Sequence, residues 1–539
     1  MLKSETISSS ESFPARGQRS LAGQAPRLAR EASLYVGLAL IFILGIVASP
    51  IDPTTGAIIF LSPENQSSVL RYIAQNGILA VGMTLVILTA GIDLSVGRLL
   101  GLGSTLAAML MIEKAWTPAA WFTLGAAALS AGVLAALLVR AVFGGKAAGR
   151  RDAALSALAF VTAAGLIAAW MAPQAPAGLS ILTVLIVVPL AGLALGSVSG
   201  VIIAKARLQP FIVTLAMMTT AYGAARLLSE GGKIKSLYDT QGNTPPGVDW
   251  LRTIDMAAIA AALPAWMPDA LTGLLRSGTV TTIAGLAPVP GLFFLVCLLA
   301  GMFALNRLRF GRYVYAVGGN EEAARLSGVN VDRVKITVYA VSGMLAFLAG
   351  VLACAQYRQG KADMGQLAEL DAIAAVVIGG TSLLGGRGRM AGTLVGVLMF
   401  GYLTNILTLK GLSTDVQYFI TGVIIVEAVL LQEGAIQRLP KAWQPRAVLA
   451  LLLQLGLLLL VLNLWIGLVY LNVFAAGAAV LLLWRLRREW SWIDAALVYG
   501  PCAFVWMQAP WAGIACAVGA TAILGALFVF RRMREGEVG

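Results

Sequence analysis

NRLRFGRYVYAVGGNEEAARLSGVNVDRVK, residues 306–335, is the longest cluster of charge in this chain, and an apolar run flanks it on each side, 288–305 before and 336–355 after. Each run is long enough to cross a bilayer, so the charged stretch must emerge between two membrane spans. Within it, Gly318-Gly319-Asn320 stops one element and caps the next. Glu321 and Glu322 then fall in a first helical turn, where negative charge suits the helix dipole. Glu321 and Arg325 stand four apart in the favourable order, and Gly328 is a natural stop. A short exposed helix is expected here, with Ala323 and Ala324 admitting close approach by a partner. The element reads as a docking device rather than a reactive site, with Arg307, Arg309 and Arg312 as charges that orient the flanking span.

Composition extends this reading to the whole chain. Of 539 residues, 59% are hydrophobic and 12% charged, and the mean hydropathy is +0.84. These values describe an all-α polytopic membrane protein rather than several soluble domains. The net charge of +13 belongs to the loops that set orientation and does not imply a nucleic-acid partner. There is no histidine, which excludes His-based acid/base chemistry and histidine metal ligands. Cys297, Cys354, Cys502 and Cys516 lie far apart in or beside apolar runs, without metal-site spacing. No metal site and no cofactor are expected in this chain.

Outward from the charged stretch, the chain divides as follows. Residues 1–32 are Ser-rich and basic and read as a disordered cytoplasmic tail. A core is expected over 33–113 and 179–433, with the coupling segment at 306–335, an inserted transmembrane hairpin at 114–178, a linker at 434–446 and a four-helix extension at 447–539. Residues 229–287 read as a long external loop with a half-buried segment around 257–262. Spans are expected at 34–49, 69–89, 179–204, 211–228, 370–384, 391–408 and 416–431, besides those named above. About sixteen stretches are long enough for a ~30 Å hydrocarbon core. Alternating from a cytoplasmic N-terminus, every short basic turn lands inside, and the C-terminus does too.

Three motifs stand out inside the apolar runs. Gly192, Gly196 and Gly200 repeat every four residues, as do Gly392 and Gly396, which suits close helix packing within the subunit or on a homodimer face. AGIDLSVG, residues 90–97, interrupts a span: Gly91 breaks the helix, and Asp93 or Ser95 can cap the next. A carboxylate at membrane depth suggests a translocation path through Gly91, Asp93 and Ser95, while a capping role near the cytoplasmic interface, beside Arg98, is the plainer alternative. Other acids in the spans are few (Glu427, with Asp371 and Asp494 near span starts), which weakens a proton-coupled mechanism. The glycine pairs at 379–380 and 385–386 are not followed by the Lys-Ser/Thr of a phosphate-binding loop.

Three blocks in order, ILAVGMTLVILTAGIDLSVG (78–97), GRYVYAVGGNEEAARLSGVNVDRVK (311–335) and AELDAIAAVVIGGTSLLGGRGRMAG (368–392), resemble the membrane permease subunits of bacterial ABC importers for monosaccharides. The resemblance covers roughly residues 34–432 without 114–178, and AELDAIAA and the region from Met83 to Gly103 lean toward the xylose type over the ribose type. It implies a two-fold core of about ten spans that alternates access. It also implies ATP-binding subunits on the cytoplasmic face, a periplasmic sugar-binding protein, a permease homodimer and an inner-membrane location in the lipid bilayer. In that family the segment matching Asn320–Gly328 is the coupling helix, so Asn320, Glu321, Glu322, Ala323, Ala324, Arg325, Leu326 and Gly328 become the expected ATPase contacts. Ala90 stands where the family usually has Gly, and Arg98 where it usually has a small or apolar residue. The expected function is therefore pentose import with hydrolysis on a partner subunit. A branched-chain amino acid permease and a secondary transporter working alone are the rivals.

Overall fold

In hydrocarbon every backbone amide must find its partner inside the chain, so long apolar runs fold as helices. The computed structural model describes residues 21–424, apart from 114, 144–149, 175–177, 238–246, 253–276, 278–287, 419 and 423. Thirteen α-helices order this part: α1 (Leu21–Ala48), α2 (Pro63–Leu88), α3 (Val96–Ile112), α4 (Pro118–Phe143), α5 (Arg150–Met171), α6 (Ile181–Lys205), α7 (Pro210–Leu228), α8 (Val289–Arg307), α9 (Arg309–Gly319), α10 (Glu321–Leu326), α11 (Val331–Tyr357), α12 (Ala368–Ile378) and α13 (Met390–Leu409). Among the described residues, eight helices are long and apolar enough to cross a membrane: α2, α4, α5, α6, α7, α8, α11 and α13. The protein is an all-α, multi-pass membrane protein.

The core is built around α11, which packs against α6, α3 and α2. In its apolar window 83% of residues are buried, and in that of α2 78%, whereas α5 buries only 6%. The α4–α5 hairpin therefore sits at the periphery, α4 leaning on α6 and α5 on α4. The far end of α11 is fastened by a two-residue antiparallel ribbon, β1 (Lys235–Ser236) against β2 (Gln359–Gly360). Ion pairs hold the same end: Lys235 Nζ lies 3.1 Å from Glu113 Oε1, and Asp249 pairs with both Arg252 and Arg358. The Arg358 hydrogen bond holds the Asp249 carboxyl below its ordinary range, against the opposing effect of burial.

Four expectations need correction. α1 begins at Leu21, inside the stretch read as tail. α11 begins at Val331 rather than 336: the Asn330 side chain accepts from the Arg333 amide at 3.0 Å and starts the helix earlier. The stretch before Asn320 is itself helical. In α9 the buried Gly311, Val314, Val317 and Gly318 recur at helical spacing, while Arg309, Arg312 and Tyr313 are exposed.

The fourth correction concerns 370–384, which is no span. α12 stops at Ile378 after 11 residues, about 16 Å of helix and too short for the hydrocarbon core. The tail before Leu21, the half-buried segment at 257–262, Glu427, the linker at 434–446 and the extension at 447–539 lie outside the described residues.

Candidate functional site: a charged, capped helix beside two helix breaks

α10 is six residues long, so its position depends on its ends and on its neighbours. Asn320 caps it, accepting from the Ala323 amide at 2.9 Å. At the other end Gly328, at φ +82°, allows the 6→1 bond from the Val329 amide to the Ala324 carbonyl, 3.0 Å, that closes a Schellman turn. Ala324 is the residue turned inward; Glu321, Glu322, Ala323, Arg325 and Leu326 are exposed, Leu326 by 84%.

A lattice of charge fixes the helix sideways. Glu321 meets Arg325 at 3.2 Å and Lys335 of α11 at 2.7 Å, Arg325 reaches Asp332 at 3.7 Å, and Asp332 meets Lys205 of α6 at 2.9 Å. Exposed and half-exposed pairs of this kind contribute only about 0.2–1 kcal/mol each, so the lattice positions α10 more than it stabilises it. Burial alone would raise the Glu321 carboxyl; the hydrogen bond and charge of Lys335, then those of Arg325, outweigh it and hold the group below the usual glutamate range. The folded value thus lies below the unfolded one. Its contribution is present above the ordinary glutamate range and is lost as pH falls through the depressed value. Glu322, Ala323 and Leu326 take no part in the lattice and form one outward face.

Against the end of α9, which leads into α10, lie two helix breaks, and they are made alike. α2 ends where Ala90 donates to Ile87 O at 2.9 Å and Gly91 to Val86 O at 3.1 Å. α12 ends where Gly380 donates to Val377 O at 2.8 Å and Thr381 to Val376 O at 3.2 Å. Both are Schellman turns, with Ala90 at φ +59° in one and Gly380 at φ +88° in the other. The breaks touch: the Gly386 amide donates to the Leu88 carbonyl at 3.0 Å.

In the first break, Asp93 is 2% exposed. Its Oδ1 accepts from the Ser95 amide at 3.0 Å and the Ser95 hydroxyl at 2.6 Å, and its Oδ2 accepts from the Ser342 hydroxyl of α11 at 2.8 Å. Ser95 occupies the cap position of α3 but makes no capping bond, because its hydroxyl is turned to Asp93. Asp93 therefore closes the turn ahead of α3 and ties it to α11. A side chain at Gly91 would run into the buried Tyr339 hydroxyl. Arg98 lies over the Tyr222 ring, 4.5 Å from its centre, with Asp363 at 3.8 Å.

A family model described as the permease component of branched-chain amino acid transport systems matches residues 152–429. The ribose import permease RbsC of Escherichia coli K12 is 34% identical over 395 residues, 73% of this chain and 91% of that protein. RbsC of Bacillus subtilis 168 is 32% identical over 397 residues, covering 74% and 91%. The xylose transport permease XylH of E. coli K12 is 32% identical over 411 residues, covering 71% and 88%. The chain belongs to this permease family. No solved structure matches it. The family match opens at 152, within α5, so the second half of the hairpin read as an insertion lies inside the matched stretch.

The permease places the repeated glycines inside its own fold. Gly192 and Gly200 abut the backbone of α11 at Gly343 and Ile336, and Gly196 sits against Tyr339 and Ala340, so no Cβ fits at any of the three. Gly392 and Gly396 of α13 press on Gly379 and Ala375 of α12 in the same way. The sequence reading passed over Glu369, which is 6% exposed and whose Oε2 abuts Gly97 without a hydrogen-bond partner among the described residues. It stands one residue before the apolar run at 370–384, so hydropathy alone does not mark it as an intramembrane acid. Two residues on, Asp371 accepts from the Tyr72 hydroxyl at 3.4 Å beside a water-sized cavity lined also by Asn76, Phe400 and Gly401.

Proposed function

We propose that this chain is the permease subunit of an ATP-driven importer that moves a pentose, ribose or xylose, across the bacterial inner membrane. α10 faces the cytoplasm with both termini and docks on an ATP-binding partner that hydrolyses ATP. A periplasmic sugar-binding protein delivers the substrate, and two copies of the permease form the pathway. The observation that carries the reading is α10 itself: a capped helix, braced from α6 and α11 by a charge lattice, that keeps Glu322, Ala323 and Leu326 outward. A helix braced on one side and bare on the other suits a docking role. The relatives named for ribose and xylose stand nearly level in identity, so the pentose class is proposed rather than one sugar.

The double variant Glu322→Lys/Leu326→Asp tests this directly. It leaves the cap and the charge lattice intact, so the permease should reach the membrane at normal levels. Co-purification of the ATP-binding partner and pentose uptake should both fall at least tenfold. Normal uptake would sink the proposal.

A second reading follows from the family description, which names branched-chain amino acids. Competition of labelled ribose and xylose uptake by unlabelled leucine, isoleucine and valine separates the two substrates. Uptake into liposomes driven by an ion gradient, with no ATP-binding partner, would establish a secondary transporter instead.

A further inference from the structure

The C-terminal end of α9 lies where α10 and the two helix breaks converge. Gly318 is buried, and its α-carbon is backed so closely by the Leu88 carbonyl that a Cβ would overlap it; the same Cβ would stand 2.6 Å from the Gly386 amide nitrogen. Those two groups are the partners of the 3.0 Å bond that joins the first break to the second. On the other side of the contact, a Cβ on Gly385 would lie 2.8 Å from both the Gly318 carbonyl oxygen and the Ala90 Cβ. A Cβ on Gly386 would lie 2.7 Å from the Gly319 Cα. Three residues earlier on α9, the Tyr315 hydroxyl donates to the Gly388 carbonyl at 3.0 Å. At Gly318 and Gly386 backbone meets backbone, with no flexible side chain between to absorb a displacement.

We infer that the backbone contact at Gly318, near the end of α9, is the mechanical relay between α10 and both helix breaks, so that a shift of α10 moves the two breaks together. This rests on the docking role proposed above for α10. Asn320, which caps α10, follows directly on α9, and only one residue separates the cap from Gly318. The break at 88–91 is also tied to α11 by the Asp93–Ser342 bond, and α11 carries Asp332 and Lys335 of the charge lattice. Two connections from α10 thus reach the same break, and the direct one through α9 reaches the second break as well. Gly318 is a positioning residue in this account; it touches no substrate.

Adjacent glycines supply the test. A Cβ at Gly319 meets nothing within 4 Å, so Gly318→Ala and Gly319→Ala change helix propensity alike and differ only in the contact. Each variant is expressed with its ATP-binding and sugar-binding partners, and labelled ribose and xylose uptake, partner co-purification and ATP hydrolysis by the purified complex are measured. Gly318→Ala should keep the partner and hydrolyse ATP within twofold of wild type, while uptake falls at least tenfold; Gly319→Ala should match wild type. If Gly318→Ala does not accumulate, Tyr315→Phe removes only the hydroxyl that holds Gly388 and should show the same split more mildly, about threefold. Uptake by Gly318→Ala within twofold of wild type, or equal loss in both alanine variants, would overturn the relay and leave docking intact. Loss of partner binding from the wild-type complex would instead count against the docking role itself.

Discussion

Ala90 is a residue in a glycine's position. At φ +59° it holds the left-handed conformation that closes the end of α2, and a Cβ there costs about 1–2 kcal/mol. The equivalent position at the end of α12 is Gly380, which carries no such cost. Ala90→Gly should therefore stabilise the permease by up to about 1 kcal/mol, part of the gain being offset by a freer unfolded chain. A higher melting temperature in detergent is the expected result, and a lower one would count against local strain. The departure at Ala90 was visible in the sequence, but its physical cause was not: a single chain shows the residue and hides its φ. Asp93 is similar. Its burial beside a break was foreseeable from AGIDLSVG, whereas its bond to Ser342, 249 residues away, depends wholly on the packing of α11.

Among the described elements, the α6–α11 seam is the most extensive, and it was legible because glycine at every fourth position of an apolar helix marks one face. Gly196→Leu should lower the melting temperature by several degrees, since the side chain has only backbone to displace. Gly223→Leu on α7, where a Cβ meets open space, should leave it unchanged. Equal effects at the two sites would argue that glycine matters here for flexibility and not for approach. α9 and α12 were not legible. The arginines of α9 masked an apolar stripe only three turns long, and the run at 370–384 looks continuous unless Gly379-Gly380 is taken as a stop. A glycine pair inside an apolar stretch is compatible with a packed helix as well as with a break, and the left-handed φ of Gly380 decides for the break.

At the scale of the molecule, the family match ends at residue 429 and the relatives align over 71–74% of the chain. Import should therefore reside in the part before the linker. A chain truncated after residue 446 is expected to retain uptake within about threefold of the full protein, and complete loss would make the C-terminal runs part of the transport machine. The central position of α11 also has a consequence for biogenesis. The helices it unites, α2, α3 and α6, all precede it, and 125 residues separate the end of α6 at Lys205 from its start at Val331. At 5–20 residues per second, translation of that interval takes roughly 6–25 s. Through that time the nascent chain holds the glycine face of α6 against lipid and Asp93 without Ser342. The ribosome thus delivers the keystone after the stones it locks, and the core assembles inside the bilayer only once α11 leaves the translocon.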